Sequence, residues 1–443
     1  MNRVIVSKFG GGLRADEGAL ADAERVKQAV EIIKSDPARR YVVVAAPGSS
    51  ADGSIKVTDM LYICQSLFTN KENYQEVLDK IIYRFDDIVK GLGIDFDLDS
   101  EISSLKKSLL LGKVDKTVSH GERIMAKIFA AYMGWEYVDA SKLIFFNKDS
   151  TLNEEKTFST ASEVLNGIEH AIIPGFYGVM PNGDIKVFPR GGSDITGAVI
   201  ARAVNADVYE KWTEKSKIYI ADPKIIPDSE IIRQITYNEM RELTHVGGVN
   251  MLHEDVILLL QDVKIPINIR SVRDLDSQGT MIMSKIPEGT RKITACIAGN
   301  RNFKIIKVRK YGMNKMPGAG AKFFEVLGRH GIPFEHCLSG IDTMVAVLKS
   351  PKFDLRRNDI LREIDEALKP DSVKIEKDLS IVAVVGEGMG TIKGTFAKIF
   401  NAIADASIKV RMIDEGSDDC NMLLGVYDED FENAVKAIYN SMI

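Results

Sequence analysis

The last third of the chain matches itself at a fixed offset of 76 residues. Gly318 aligns with Gly394, Phe324 with Phe400, Leu327 with Ile403 and Ile332 with Ile408. Further on, Gly340 aligns with Gly416 and Val347 with Leu423. Each copy reads strand, glycine-containing loop, helix, two short strands, helix. In the first copy these are Lys304–Arg309, Gly318–His330, Phe334–Leu338, Met344–Leu348 and Asp354–Leu368. A repeat of this length restricts the region to two copies of one small α+β unit.

Proline, glycine and charge cluster at Pro287–Arg291, so a domain boundary is expected there. The preceding part alternates strand and helix. Val4–Ser7 reads as a buried strand, followed by a glycine-rich loop and an amphipathic stretch from Leu20 to Lys34. Tyr41–Ala46 is a second buried strand, closed by Pro47-Gly48. This alternation predicts an α/β layered fold with a largely parallel sheet. From Thr58 to Ala131 the pattern is helical, with Ile81, Ile82, Phe85, Ile88 and Val89 as one apolar stripe, which reads as a packed helical insert. Strands are expected again at Glu136–Val138, Ala171–Ile173, Ile185–Phe188, Asp207–Lys211 and Ile265–Ile269.

Composition narrows the class. Of 443 residues, 45% are hydrophobic and 27% charged, as in ordinary globular proteins. A net charge of −5 gives no overall basic field for nucleic acid. The four cysteines, Cys64, Cys296, Cys337 and Cys420, form no C-x-x-C pair, and the six histidines are scattered, so no zinc site or disulfide scaffold is expected. The N-terminus lacks a signal-peptide core, and no apolar run reaches membrane-spanning length; a cytoplasmic protein is expected, without a membrane partner.

Three places carry candidate chemistry. Lys8-Phe9-Gly10-Gly11-Gly12 follows a strand, where glycines let backbone N–H groups approach phosphate and a lysine supplies charge; a tight structural turn is the other reading. Pro189-Arg190-Gly191-Gly192-Ser193-Asp194 opens a helical run to Val204. It offers free N–H donors, a capping side chain and a carboxylate beside an arginine suited to clamping a carboxylate or phosphate; capping alone also accounts for Ser193 or Asp194. Glu122, in Ser119-His120-Gly121-Glu122-Arg123, reads by itself as a solvated helix face or a partner of Arg123.

Together these motifs resemble the aspartokinases of the amino-acid kinase superfamily. The resemblance runs end to end. It takes in KFGG, the Pro-Gly loop with Lys56-Val57-Thr58-Asp59, SHGE, Pro174-Gly175-Phe176-Tyr177-Gly178 and RGGSD. It continues through Trp212-Thr213, Ala221-Asp222-Pro223 and Leu252-His253, and the paired C-terminal units look like ACT domains. The fold so implied is an amino-acid kinase αβα sandwich over 1–290, with the insert at 58–131. Two ferredoxin-like ACT units follow at 291–375 and 376–443.

The activity implied is phosphorylation of the L-aspartate β-carboxylate by ATP, the first step toward lysine, threonine and methionine. By similarity Lys8 stabilises the moving phosphoryl group, Asp194 orients the lysines and helix-end donors, and Gly10 and Gly11 cradle phosphates. Thr213, Tyr219 and Lys224 fall in the nucleotide stretch. Arg190 would clamp an aspartate carboxylate, Glu122 would hold the amino group, and Thr58, Phe176, Gly191 and Ser193 would line the substrate site. Mg2+ would arrive with ATP, with no dedicated protein metal site. The resemblance further implies a homo-oligomer through the ACT units and an amino-acid effector, lysine before threonine, at Met313, Gly318 and Glu335.

The chain also departs from the family pattern. Gly12-Leu13 and Arg14 follow KFGG where hydroxyl residues are usual, Ala45 replaces a serine, and Trp212-Thr213 is followed by Glu214, Lys215, Ser216 and Lys217. The run before Leu252-His253 is one residue longer. These changes leave two further readings: a kinase of another small amino or dicarboxylic acid, and a weakly active or non-catalytic regulatory paralogue.

Overall fold

The valine- and isoleucine-rich runs of the N-terminal part fold as strands buried on both faces, the environment that β-branched side chains fill well. The computed structural model describes residues 3–10, 20–49, 55–189, 191–214, 217–247, 251–287, 294–389, 392–415 and 420–443. The chain divides into two units. The first is Met1–Ile218 with Ile231–Arg241 and Asn250–Arg291; the second is Tyr219–Glu230 with Glu242–Val249 and Lys292–Ile443.

The strands of the first unit are β1 (Ile5–Phe9), β2 (Arg39–Val44), β3 (Glu136–Tyr137), β4 (Ala171–Pro174), β5 (Tyr177–Val179), β6 (Ile185–Val187), β7 (Val208–Thr213), β8 (Gln234–Thr236), β9 (Ile267–Ser271) and β10 (Thr280–Met283). Its sheet has the order β3-β4-β2-β1-β7-β9-β10-β8. The strands from β3 to β9 in that order are parallel; β10 runs antiparallel on β9, and β8 lies parallel to β10 at the edge. β5 and β6 form a separate hairpin.

The helices are α1 (Ala23–Lys34), α2 (Val57–Thr69), α3 (Gln75–Leu92), α4 (Leu98–Leu110), α5 (Val114–Met133), α6 (Glu154–Asn166), α7 (Gly192–Ala203), α8 (Tyr237–Gly247) and α9 (Glu254–Gln261). α2 to α5 are the expected insert: Ile81, Phe85 and Ile88 are fully buried, with Ile82 and Val89 at the margin of the stripe. Each strand expected from the sequence is present. β5, β8 and β10 are additional, and each has only three or four residues.

In the second unit the repeat becomes geometry. Its elements are β11 (Cys296–Arg309), α10 (Ala319–Arg329), β12 (His336–Ser339), β13 (Thr343–Leu348), α11 (Pro351–Leu368), β14 (Ser372–Val385), α12 (Thr395–Asp405), β15 (Met412–Glu415), β16 (Asn421–Tyr427) and α13 (Phe431–Met442). α10 and α12 begin and end 76 residues apart, as do β12 and β15. Gly318 and Gly394 both stand at the helix N-cap with φ of 77° and 88°, a backbone region that side chains with a Cβ rarely enter.

The sheet order is β12-β13-β11-β14-β16-β15. β11 and β14 have 14 residues each and serve both copies. Lys304–Arg309 pairs with β13 and with Ser372–Glu376, completing the first copy. Cys296–Asn300 pairs with Ile381–Val385, whose other flank carries β16. The second copy thus takes its fourth strand from chain that precedes the first copy, and the residue 375/376 boundary falls inside β14. Phe323, Phe353 and Ile360 centre one core; Ile399, Leu424 and Ile438 centre the other.

Candidate active site

Lys8 on β1 and Lys211 on β7 are direct partners in the parallel ladder, so their side chains leave the same face of the sheet. Asp194, in the first turn of α7, meets both. Lys8 Nζ is 2.7 Å from Asp194 Oδ1, and Lys211 Nζ is 2.6 Å from Oδ2. Lys211 also donates to the Met251 carbonyl at 2.5 Å, and the Tyr209 hydroxyl donates to the Asp194 carbonyl at 3.2 Å. All three charged side chains are less than one-tenth exposed. Burial pushes the Asp194 carboxyl up, but Lys211 and Lys8 outweigh it and hold the group well below the usual carboxylate range. The start of α7 adds the favourable end of the helix dipole.

Lys8 runs against Gly10. A Cβ there would lie 1.9 Å from Lys8 Nζ and 2.7 Å from Cε, so any larger residue would displace the ammonium. Gly191 has φ of 87° and caps α7, with the His253 ring 2.9 Å from where its Cβ would be. Ser193 sits on Gly175 within 2.7 Å of the same construction. Phe176 has φ of 82°, unusual for an aromatic residue, and its N–H donates to Thr196 Oγ1 at 3.0 Å. The chain preceding β5 is therefore clamped onto the start of α7, with a strained residue held by its surroundings.

Glu122 lies on α5 and is 3% exposed. Thr58 Oγ1 donates to its Oε1 at 3.2 Å, while Oε2 is buried with no hydrogen-bond partner among the described residues. Burial pushes its pKa up to about 7, against the pull of backbone donors, Thr58 and Lys56. It is neither a solvated helix residue nor an ion-pair partner of Arg123, which faces Glu101 and Asp139. Its neighbour His120 is buried and pushed down to about 4 by that burial, with Nδ1 2.7 Å from the Lys116 carbonyl.

Thr213 ends β7, its carbonyl accepting from Val272 N at 3.1 Å. Tyr219 and Lys224 belong to the segment that packs with the second unit, where Ala221 joins the core of Ile399 and Leu424. Gly11 and Arg190 lie outside the described residues, as do Gly12, Leu13, Arg14, Lys215 and Ser216. Two departures have structural partners: the Glu214 side chain, 6% exposed, lies between Arg273 at 2.6 Å and Arg25 at 3.4 Å, and Lys217 faces Asp274 at 3.4 Å.

In the second unit, Met313 is packed in the first core, Gly318 caps α10, and Glu335 Oε2 lies 3.8 Å from His245 Nε2. Sequence reading passed over Lys211 and Tyr209. The available signal was a lysine in a strand otherwise fit for burial, which requires a partner.

Comparison with known proteins agrees with this fold. The amino acid kinase family model matches residues 3–271, and an ACT domain model matches 382–442. Aspartokinase 3 of Bacillus subtilis is 30% identical over 450 residues, covering 98% of this chain and 97% of the relative. The crystal structure of Clostridium acetobutylicum aspartate kinase has a TM-score of 0.92 at 38% identity, covering 100% of both chains. E. coli aspartokinase III shares the fold at 22% identity. Its complex with aspartate and ADP has a TM-score of 0.74, covering 99% of this chain and 100% of that one; its complex with lysine and aspartate has 0.78, covering 99% of each.

Proposed function

We propose a division of labour that starts from one premise: this chain belongs to the amino acid kinase family and, within it, to the aspartokinases. It is an aspartate kinase. It moves the γ-phosphoryl group of ATP to the β-carboxylate of L-aspartate and forms 4-phospho-L-aspartate, which begins lysine, threonine and methionine synthesis. The carboxylate nucleophile is ionised at neutral pH, so no general base is needed and the site works by positioning and charge.

Lys8, held by Asp194 against Gly10, stabilises charge developing on the transferred group. Gly10 and Gly11 receive the phosphates, with Thr213 on the nucleotide. Glu122 takes the ammonium group of aspartate on its unpartnered Oε2, and Arg190 takes a carboxylate. Thr58, Phe176, Gly191 and Ser193 shape the pocket. Both oxygens of Asp194 are on lysines, so the triad has no carboxylate to spare for a metal. Mg2+ would come with ATP, held mostly by phosphate oxygens and water, and would supply neutralisation of part of the polyphosphate charge. The observation carrying this reading is the buried Lys8–Asp194 pair beside the glycine loop.

The nested ACT units serve feedback control in a homo-oligomer, with lysine as effector at the α10 N-terminus, Met313 and Glu335. The enzyme works in the cytoplasm, where ATP and aspartate are present; no described helix is long and apolar enough to cross a membrane. Mg-ATP, L-aspartate and hydroxylamine together test the reaction. Aspartyl hydroxamate is the expected product; hydroxamate only from another amino or dicarboxylic acid would reassign the acceptor.

A further inference from the structure

Lys211 stands where a charge is costly. β7 is paired on both sides, by β1 and β9, and Lys211 is 7% exposed in the middle of the sheet. Its burial is compensated by two acceptors, Asp194 Oδ2 and the Met251 carbonyl. Neutralising Asp194 does not require it, because Lys8 already lies 2.7 Å from Oδ1. The three side chains together hold two ammonium groups against one carboxylate, a surplus of one positive charge in a site shielded from water.

The geometry assigns that surplus to Lys8. Lys211 is fastened to both Asp194 and the backbone, whereas Lys8 meets one carboxylate oxygen and runs along Gly10 toward the loop. With Oδ2 occupied, Asp194 cannot turn both oxygens onto Lys8. We propose that Lys211 is a positioning residue for phosphoryl transfer: it engages half of Asp194, so that Lys8 faces the transferred group as an incompletely neutralised cation. Lys211 itself does not touch the reacting atoms. The inference rests on the aspartate kinase reading and deepens it by naming what sets the charge at Lys8.

Removing the charge at 211 leaves a neutral Lys8–Asp194 pair, and the loss belongs to the transition state, where the extra negative charge appears. Steady-state kinetics of Lys211→Met and Lys211→Arg, with thermal melting of each, provide the test. Lys211→Met is expected to lower kcat at least about tenfold, while KM for aspartate moves less than about twofold. Inhibition by ADP with aluminium fluoride and aspartate should weaken by the factor lost in kcat. Lys211→Arg keeps the charge and should retain kcat within about threefold.

A folded Lys211→Met with undiminished kcat overturns the inference, as does a loss confined to KM. If the Met variant does not fold, Lys211→Arg decides: a folded Arg variant that loses as much as a tenfold factor shows that charge is not what position 211 supplies. Wild-type turnover is measured first. An enzyme that uses a different acid carries the same test on that acid, and only the acceptor assignment is then lost.

Discussion

Thr58 donates to Glu122 Oε1 across 3.2 Å and leaves Oε2 buried with no hydrogen-bond partner among the described residues. A buried carboxylate oxygen without a donor is unfavourable until a cation arrives, and the ammonium group of an amino-acid substrate is such a cation. Glu122→Gln is expected to raise KM for aspartate by about tenfold to a hundredfold, with a smaller change in kcat. A change in kcat alone would remove Glu122 from substrate binding.

The same residue sets a pH dependence of stability. Burial raises Glu122 to about 7 in the folded chain, above its usual 4.5, so its favourable contribution is present at low pH and lost as pH rises through about 7. Burial lowers His120 to about 4 from 6.5, so its contribution is present above 6.5 and lost as pH falls toward 4. The two oppose each other over nearly the same window, each by about 3 kcal/mol. Glu122→Gln should therefore expose the histidine's effect, making the variant increasingly less stable than at neutral pH as acid is added from pH 6.5 to 4. Urea denaturation of both proteins across that range checks this; parallel pH curves contradict it.

Lys8 and Arg190 should separate kinetically. Lys8→Ala removes a cation needed most in the transition state and should lower kcat by about a hundredfold or more. In the proposed role of Arg190 as a carboxylate clamp, Arg190→Ala loses a charged contact to bound substrate and should raise KM for aspartate by about tenfold to a hundredfold. Equal shifts of both parameters in both variants would refute the division.

On the face of β7 opposite Lys211, Glu210 is 3% exposed and joins distant parts of the unit. Ser7 Oγ donates to it at 2.9 Å, Arg39 Nε at 2.7 Å and Trp212 Nε1 at 2.9 Å, with Arg270 Nη1 at 3.8 Å. Arg39 and Arg270 also lie over the Trp212 ring at 5.2 and 4.6 Å. Glu210→Ala strands two guanidinium groups, so unfolding free energy should fall by about 3–5 kcal/mol. Denaturation followed by tryptophan fluorescence measures it; a loss under about 1 kcal/mol would mean water replaces the carboxylate.

What the sequence showed and what it hid follow from contact range. The offset of 76 residues fixed α10 with α12 and β12 with β15, because glycine at the caps and apolar spacing are local signals. The fourth strand of the second ACT copy was hidden, since nothing in Cys296–Asn300 marks a partner 81 to 89 residues away. Lys8, Glu122 and Asp194 were visible through motifs. The Lys8–Lys211 adjacency was not, because it depends on register between strands 203 positions apart. β8 and β10 were too short for periodicity to register.

Regulation provides the last prediction. Gly318 opens α10, whose free N–H groups suit an amino-acid carboxylate, and Glu335 is a carboxylate for a cationic group. His245 is 3.8 Å from Glu335 Oε2 but is itself mostly exposed, so it can be displaced by a ligand ammonium. Lysine, with two ammonium groups and one carboxylate, matches this set better than threonine, which has one ammonium group. Lysine is therefore expected to lower activity, and Glu335→Ala to raise the half-inhibitory lysine concentration about tenfold or more. The inhibition requires lysine to bind the inactive state more tightly, since equal affinity for both states shifts neither. Titration of wild type and variant with lysine and threonine, with calorimetry for binding, decides the matter. Calorimetry without lysine or threonine binding, together with unchanged kinetics in both, would leave the ACT units as a platform for assembly only, and inhibition unchanged in the variant would place the effector elsewhere.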